Sequence, residues 1–295
     1  MLVQNSHSHL ILRKSNSKMV SAFQKDDALV NDIRSVKNSD GLNIWWLGQS
    51  GFLLAWQGKY LLFDPYLSDS LTRKYADTKK PHVRISELAV DPARLDCVNI
   101  VTSSHNHTDH LDAETLVPLL QNNTGISFVV PEANRNFVTE RVKCAVDFPI
   151  GLDGGQIIDV QGFRFTAIPA AHNTTERDAN GRCRFLSYVV QFGDHAIYHS
   201  GDTLWYDGLV DLLAPFKVDV AFVPINGNDP KRGVAGNLNP WEAAQLSKRI
   251  GAKLAVPHHY DMFAFNTADP SEFVRACEAW QQPHRVMRIG ERVSV

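Results

Sequence analysis

The apolar positions change period along the chain, and the changes divide it into elements. Over residues 20–37, "VSAFQKDDALVNDIRSVK", Phe23, Leu29, Val30 and Ile33 fall on one loose apolar stripe, which predicts a helix. From Asn43 the runs become aromatic and branched. "NIWWLGQSGFLLAWQGKYLLFDPY" predicts three strands broken at Gly48 and Gly58. Another strand, "CVNIVTSS", runs into a histidine-rich loop, followed by a helix opening near Asp112, the strand "ISFVVP" and a helix near "EANRNFVTERV". The second half repeats this order: "QIIDV", "FRFTAIPAAH", "FLSYVVQF", "HAIYHSGD" and "VDVAFVPI" read as strands.

Two helices close the chain with explicit start signals. Asn239 is a suitable N-cap for "NPWEAAQLSKRIGA", Pro240 suits the first turn, Glu242 can bond back, and Gly251 ends it. "DPSEFVRACEAWQ" opens with the same Asp-Pro-x-Glu logic, after the strand "KLAVPHHY" and before a final strand, "RVMRIGERV". Alternating strands and helices predict an α/β layered architecture of two packed sheets flanked by helices. Residues 1–40 read as a polar leader and helix. Residues 41–295 read as one continuous domain, since no Pro- or Gly-rich linker divides the halves.

Composition narrows the classes. The chain has 44% apolar and 21% charged residues and a net charge of −2, which suits a soluble globular protein and argues against a broad basic surface for nucleic acid. No stretch approaches the roughly 18 apolar residues of a membrane span. The leader lacks the apolar core of a secretory signal, and its His7 and His9 read as part of a polar segment. Cys97, Cys144, Cys183 and Cys277 are scattered, which predicts reduced thiols and a cytoplasmic setting. A homo-oligomer is compatible with these features.

The chemistry concentrates in "SSHNHTDHLD", residues 103–112. In an extended segment residues two apart share a face, so His105 and His107 can grip one ion. Asp109 and His110 are then aimed elsewhere as the chain turns into a helix. Four donors facing two ways predict two ions. Further donors stand at predicted strand ends: Asp64, His172, Asp202, and the pair His258–His259. Loops at neighbouring strand ends converge on one rim, so these positions can share a site.

This order, Asp64, "HNHTDH", His172, Asp202 and a late histidine, resembles the metallo-β-lactamase superfamily. The resemblance implies an αββα four-layer sandwich with a dinuclear site. His105, His107 and His172 would hold one metal; Asp109, His110 and a late histidine would hold the other; Asp202 would bridge. Asp64 would orient a ligand histidine. In similar proteins the late ligand stands two residues after the proline, which selects His259 after Pro257, and strand alternation then turns His258 to the opposite face. Mixed imidazole and carboxylate donors suit zinc, with manganese compatible. A metal pair lowers the pKa of water toward about 7, and Asp109 is the expected catalytic carboxylate.

"IWWLGQSGFLL", "YHSGDTLWYDG", "VDVAFVPINGNDPKRG" and "VPHHYDMFAFNTADP" are similar to the L-ascorbate-6-phosphate lactonase family. The likeness implies hydrolysis of a lactone or phosphorylated small-molecule ester. His172 departs from the lactonase pattern, so the chain reads as a relative with a complete ligand set. Two alternatives are a phosphodiesterase similar to the phospholipase D-like hydrolases of N-acyl phosphatidylethanolamine and, in another class, a non-catalytic metal-binding protein on the same fold. The expected substrate is a small anionic or lactone molecule. Candidate substrate contacts are Trp205, Tyr206, Asn226, Arg232 and His258; Lys231, Arg177, Arg182 and Arg184 lie in similar loops.

Overall fold

A computed structural model describes residues 19–295; the leader with His7 and His9 lies outside them. The first helix, α1 (Asp26–Ser35), buries Leu29, Val30 and Ile33. Phe23 was expected on that stripe, but it precedes the helix and is exposed.

One sheet contains β1 (Asn43–Gly48), β2 (Gly51–Trp56), β3 (Lys59–Phe63), β4 (Ile100–Thr102), β5 (Ser127–Pro131), β6 (Ile150–Leu152) and the last strand, β13 (Arg292–Ser294). Its order is β13-β1-β2-β3-β4-β5-β6. The first three strands form an antiparallel meander, and β3 to β6 run parallel. The other sheet contains β7 (Ile157–Val160), β8 (Phe163–Pro169), β9 (Leu186–Phe192), β10 (His195–His199), β11 (Val220–Pro224) and β12 (Leu254–His258), in the order β12-β11-β10-β9-β8-β7. It is antiparallel from β7 to β10 and parallel from β10 to β12.

The sheets face each other across an aromatic core. Phe52 of β2 stacks on Phe222 of β11 at 3.9 Å between ring centroids, and Phe63 of β3 stacks on His199 of β10 at 4.7 Å. Strands buried on both faces explain why β1 and β11 read as continuous apolar runs.

The remaining helices are α2 (Ser70–Lys74), α3 (Ala113–Asn122), α4 (Arg135–Val142), α5 (Leu209–Leu213), α6 (Pro240–Arg249) and α7 (Pro270–Trp280). Helix α6 has the expected capping box: Asn239 accepts from Glu242 N, and Glu242 accepts from Asn239 N, both at 2.9 Å. Asp112 caps α3 and Asp269 caps α7. The final strand is shorter than its sequence suggests. Met287 and Ile289 are buried in the core, yet only Arg292–Ser294 pairs with β1.

The strand ends position the site. Asp64 follows β3, the histidine loop follows β4, and His259 follows β12. Between β10 and Asp202 lies Gly201 at φ +53°, where an added Cβ would stand 2.6 Å from Ser104 Cβ. Gly201→Ala therefore drives the second sheet's loop into the histidine loop. Thermal denaturation should show a loss of about 1–3 kcal/mol; an unchanged melting temperature would show that the two loops are not tightly apposed.

Candidate metal centre

Hydrogen bonds to its backbone carbonyls first fix the histidine loop. Ser103 Oγ donates to His105 O at 2.6 Å, Leu111 N to His107 O at 2.8 Å, and Leu186 N of β9 to Ser104 O at 3.0 Å. Arg141 of α4 clasps the loop from outside, donating from Nη1 to Asn106 O and Leu111 O at 3.0 and 3.1 Å. The loop is thereby held by both sheets and one helix before any ligand binds.

Within this frame the donors form overlapping groups, and two of them hold the expected ligands. Nitrogen and oxygen atoms of His105, His107, His172 and Asp202 lie within 4.8 Å of one another, and so do those of Asp109, His110 and His259. Asp202 faces both sets. Its Oδ2 is 3.5 Å from His172 Nε2, while its Oδ1 is 3.2 Å from His110 Nε2 and 2.7 Å from His259 Nε2.

Most of the surrounding bonds leave Nε2 free. His172 Nδ1 is 2.8 Å from Gly236 O, which fixes the proton on Nδ1. His110 Nδ1 lies 2.8 Å from Asp64 Oδ2. Asp64 is fully buried and also accepts from Thr102 Oγ1 at 2.8 Å, from Ser104 N at 3.0 Å and from Ser104 Oγ. His105 Nε2, His110 Nε2 and Asp202 Oδ1 are buried without a well-directed hydrogen bond. Three such atoms facing one space would be costly in a finished interior. Divalent cations accept these donors, so the residues fit the metal that the sequence implies.

Electrostatics point the same way. Burial alone would push the Asp202 carboxyl up, but His259 and His110 outweigh it and hold it well below the ordinary carboxylate range. Burial likewise opposes charge on His110, yet Asp202, Asp109 and Asp64 hold its pKa well above the usual imidazole value. Burial and the neighbouring His110 and His107 push His105 well below it. The carboxylates of the site draw positive charge to its centre.

Backbone strain concentrates here. Gln49, Asp64 and His259 have φ of +48°, +36° and +64°, a region that L-residues leave to glycine unless the surroundings impose it. Gln49, in the turn between β1 and β2, places its Nε2 2.8 Å from Asp109 Oδ2 and 2.9 Å from His259 Nδ1. Ser50 Oγ is 2.9 Å from His259 Nε2.

A beta-lactamase superfamily domain model matches residues 59–260. The chain belongs to the metallo-β-lactamase superfamily. A UPF0173 metal-dependent hydrolase of Methanosarcina mazei is 28% identical over 242 residues, covering 81% of this chain and 91% of its own. Igni18, a metallo hydrolase of Ignicoccus hospitalis, is similar in fold, with a TM-score of 0.63 and 22% identity over 86% of this chain and 98% of its own. An isothiocyanate hydrolase from Delia radicum gut bacteria has a TM-score of 0.66 at 19% identity, again over 86% of this chain and 98% of its own. This superfamily member is, like its relatives, a metal-dependent hydrolase.

In this metallo-β-lactamase fold the centre opens into a cleft of about 320 Å³, lined by His107, Asp109, His172 and Asp202 together with Lys74, Lys80 and Arg141. The residues expected to touch substrate are not among those that line this cleft. Trp205 and Tyr206 pack against the core, and Tyr206 Oη donates to Pro169 O. Asn226 donates to Asn266 Oδ1 at 3.0 Å, and Arg232 donates to the same oxygen at 2.8 Å, so both brace Asn266, which does line the cleft. His258 is fully buried, with its nitrogens 3.4 Å from Ser50 Oγ and 3.2 Å from Ser200 Oγ. Arg182 is paired with Asp178 and Glu132. Among the described residues no helix is long and apolar enough to cross a membrane.

Proposed function

We propose that the cleft hydrolyses a lactone or a phosphorylated small-molecule ester at a dinuclear metal site. The observation that carries this reading is Asp202, whose Oδ1 faces His110 and His259 while its Oδ2 faces His172. His105, His107 and His172 would hold the first ion, and Asp109, His110 and His259 the second, with Asp202 shared. The donor set suits zinc, and manganese is compatible.

Two such cations supply Lewis-acid polarisation of the scissile carbonyl or phosphoryl and an acidified water at neutral pH. The chain's own residues do the rest. Asp109 is the least buried of the site's carboxylates, with 17% of its side chain exposed, and Gln49 fixes its Oδ2. It can take a proton from the attacking water and return it to the leaving oxygen. Asp64 anchors His110, and Gly236 anchors His172. A cleft of about 320 Å³ favours a small molecule over a two-chain lipid.

The test is hydrolysis of lactone and phosphodiester panels by metal-loaded protein, with metal content measured on the same samples. We expect close to two ions per chain, lactone hydrolysis that chelation abolishes, and about a hundredfold lower rate in Asp109→Asn. A stoichiometry near one would remove the dinuclear reading. Activity confined to phosphodiesters would remove the lactonase reading, and negligible rates on both panels would remove the substrate proposal altogether.

A further inference from the structure

One wall of the cleft carries charge that the metal chemistry does not use. Lys74 at the end of α2, Lys80 in the loop beyond it and Arg141 of α4 all line the cleft. Lys74 Nζ donates to Thr108 Oγ1 at 3.1 Å, Lys80 Nζ to Gly233 O, and Arg141 Nη1 to the two carbonyls of the histidine loop. Each therefore rests on a neutral acceptor, and among the described residues none is paired with a carboxylate. Their neighbours behave differently. Arg73, directly before Lys74, sits on Glu114, and Arg135, on the same helix as Arg141, sits on Glu132 at 2.6 Å.

The two carboxylates on the cleft wall, Asp109 and Asp202, belong to the donor sets and would face metal cations. Three cations thus face the cleft in a chain whose net charge is −2, so the excess is local. Like charges held around one small space repel unless an anion enters between them. The Arg141 guanidinium bonds the protein through Nη1 alone among the described residues, which leaves Nε and Nη2 to meet an oxyanion. Beside these cations, Tyr75, His82 and Phe263 give the same cleft an aromatic side, with the His82 ring 4.8 Å from Tyr75 and 5.4 Å from Phe263.

We propose that Lys74, Lys80 and Arg141 form an oxyanion-binding subsite that holds a permanently anionic group of the substrate, distinct from the bond that is hydrolysed. This rests on the hydrolase reading above and deepens it. The substrate class is a small organic ester or lactone whose carbon body lies on the aromatic side and whose carboxylate or phosphate meets the three cations. Arg141 would serve twice, positioning the histidine loop through Nη1 and binding the anion through its free nitrogens. Lys74 and Lys80 act by charge alone.

The experiment compares three versions of one lactone, with a neutral, a carboxylate or a phosphomonoester side arm, on metal-loaded protein. The variants are the double substitution Lys74→Met/Lys80→Met and the charge-retaining Lys80→Arg. In the double variant KM for the anionic lactones should rise about tenfold or more, while the neutral lactone shifts less than about twofold and kcat is nearly unchanged. Lys80→Arg should stay near wild type. A preference for the phosphomonoester over the carboxylate arm identifies a dianion, and the reverse a carboxylate; either supports the subsite. Equal shifts for neutral and anionic lactones, or no shift for the anionic ones, would overturn it. If wild type hydrolyses no lactone, the hydrolase reading fails separately. The subsite is then decided by calorimetric titration of methylphosphonate into the metal-loaded chain. Binding weakened about tenfold in the double variant supports it, and equal binding overturns it.

Discussion

Replacing Asp202 with asparagine is expected to lower kcat/KM by about 10³-fold, the upper end of what one preorganised electrostatic contact supplies, and to reduce bound metal from the two ions proposed above to one or none. The reason is geometric. Asp202 Oδ1 faces His110 and His259, and Oδ2 faces His172. An amide has one oxygen and one NH₂, so either orientation turns a donor toward one of the two sets. The lost charge matters as much, because this carboxylate is what draws cations against the cost of burial. Metal analysis and steady-state kinetics on the same preparation read both effects. Two tightly bound ions, with a rate within about tenfold of wild type, would mean that Asp202 does not join the two sets.

Much of the candidate site could be read from the chain because its donors are either contiguous or stand just beyond the ends of strands. The spacing of His105, His107, Asp109 and His110 carries its own geometry, and His172, Asp202 and His259 each follow a strand whose apolar pattern is plain. The α6 start was equally readable, since the Asn239–Glu242 box closes within four residues. Short elements carried no period to detect: α2 and α5 have five residues each and β6 has three. Phe23 was misplaced because a stripe extends only as far as the helix does, and α1 opens at Asp26.

The residues that support the ligands left no such mark. Gln49 meets Asp109 across 60 positions, and only the β1–β2 turn and the β4 loop, brought to one rim, make the pair. Lys74, Lys80 and Arg141 are ordinary surface types in sequence; what distinguishes them is that, among the described residues, they have no carboxylate partner beside a cleft, which only the fold displays. Arg232 and Asn226 sit in a Gly-rich loop near the site; both donate to Asn266, which lines the cleft, and do not line it themselves. Fold neighbours at 19% to 22% identity share the scaffold, and the cleft wall must be read in each chain separately.

Asp64→Asn makes the sharper test, because it should separate stability from metal binding. Asp64 lies wholly buried beneath the site and receives hydrogen bonds from Thr102, Ser104 and His110. Asparagine keeps the volume and one acceptor, so the fold should survive with a loss of roughly 1–3 kcal/mol. The amide must then choose an orientation. Keeping its oxygen toward Thr102 and toward Ser104 N, which is 3.0 Å from Oδ1, puts its NH₂ opposite His110 Nδ1. Two donors cannot meet there, so His110 must move its proton to Nε2. That nitrogen is the one facing Asp202 and Asp109, and a protonated Nε2 cannot bind a metal. The variant should therefore fold, melt within a few degrees of wild type, and lose about 10–100-fold in affinity for the ion proposed at Asp109, His110 and His259. Asp64→Ala instead strands three buried donors and should cost about 3–5 kcal/mol, visible as a much lower melting temperature. Metal titration beside thermal denaturation distinguishes the two. If Asp64→Asn binds both ions as tightly as wild type, the His110 proton is not controlled from Asp64, and that carboxylate serves only to tie β3 to the loop after β4.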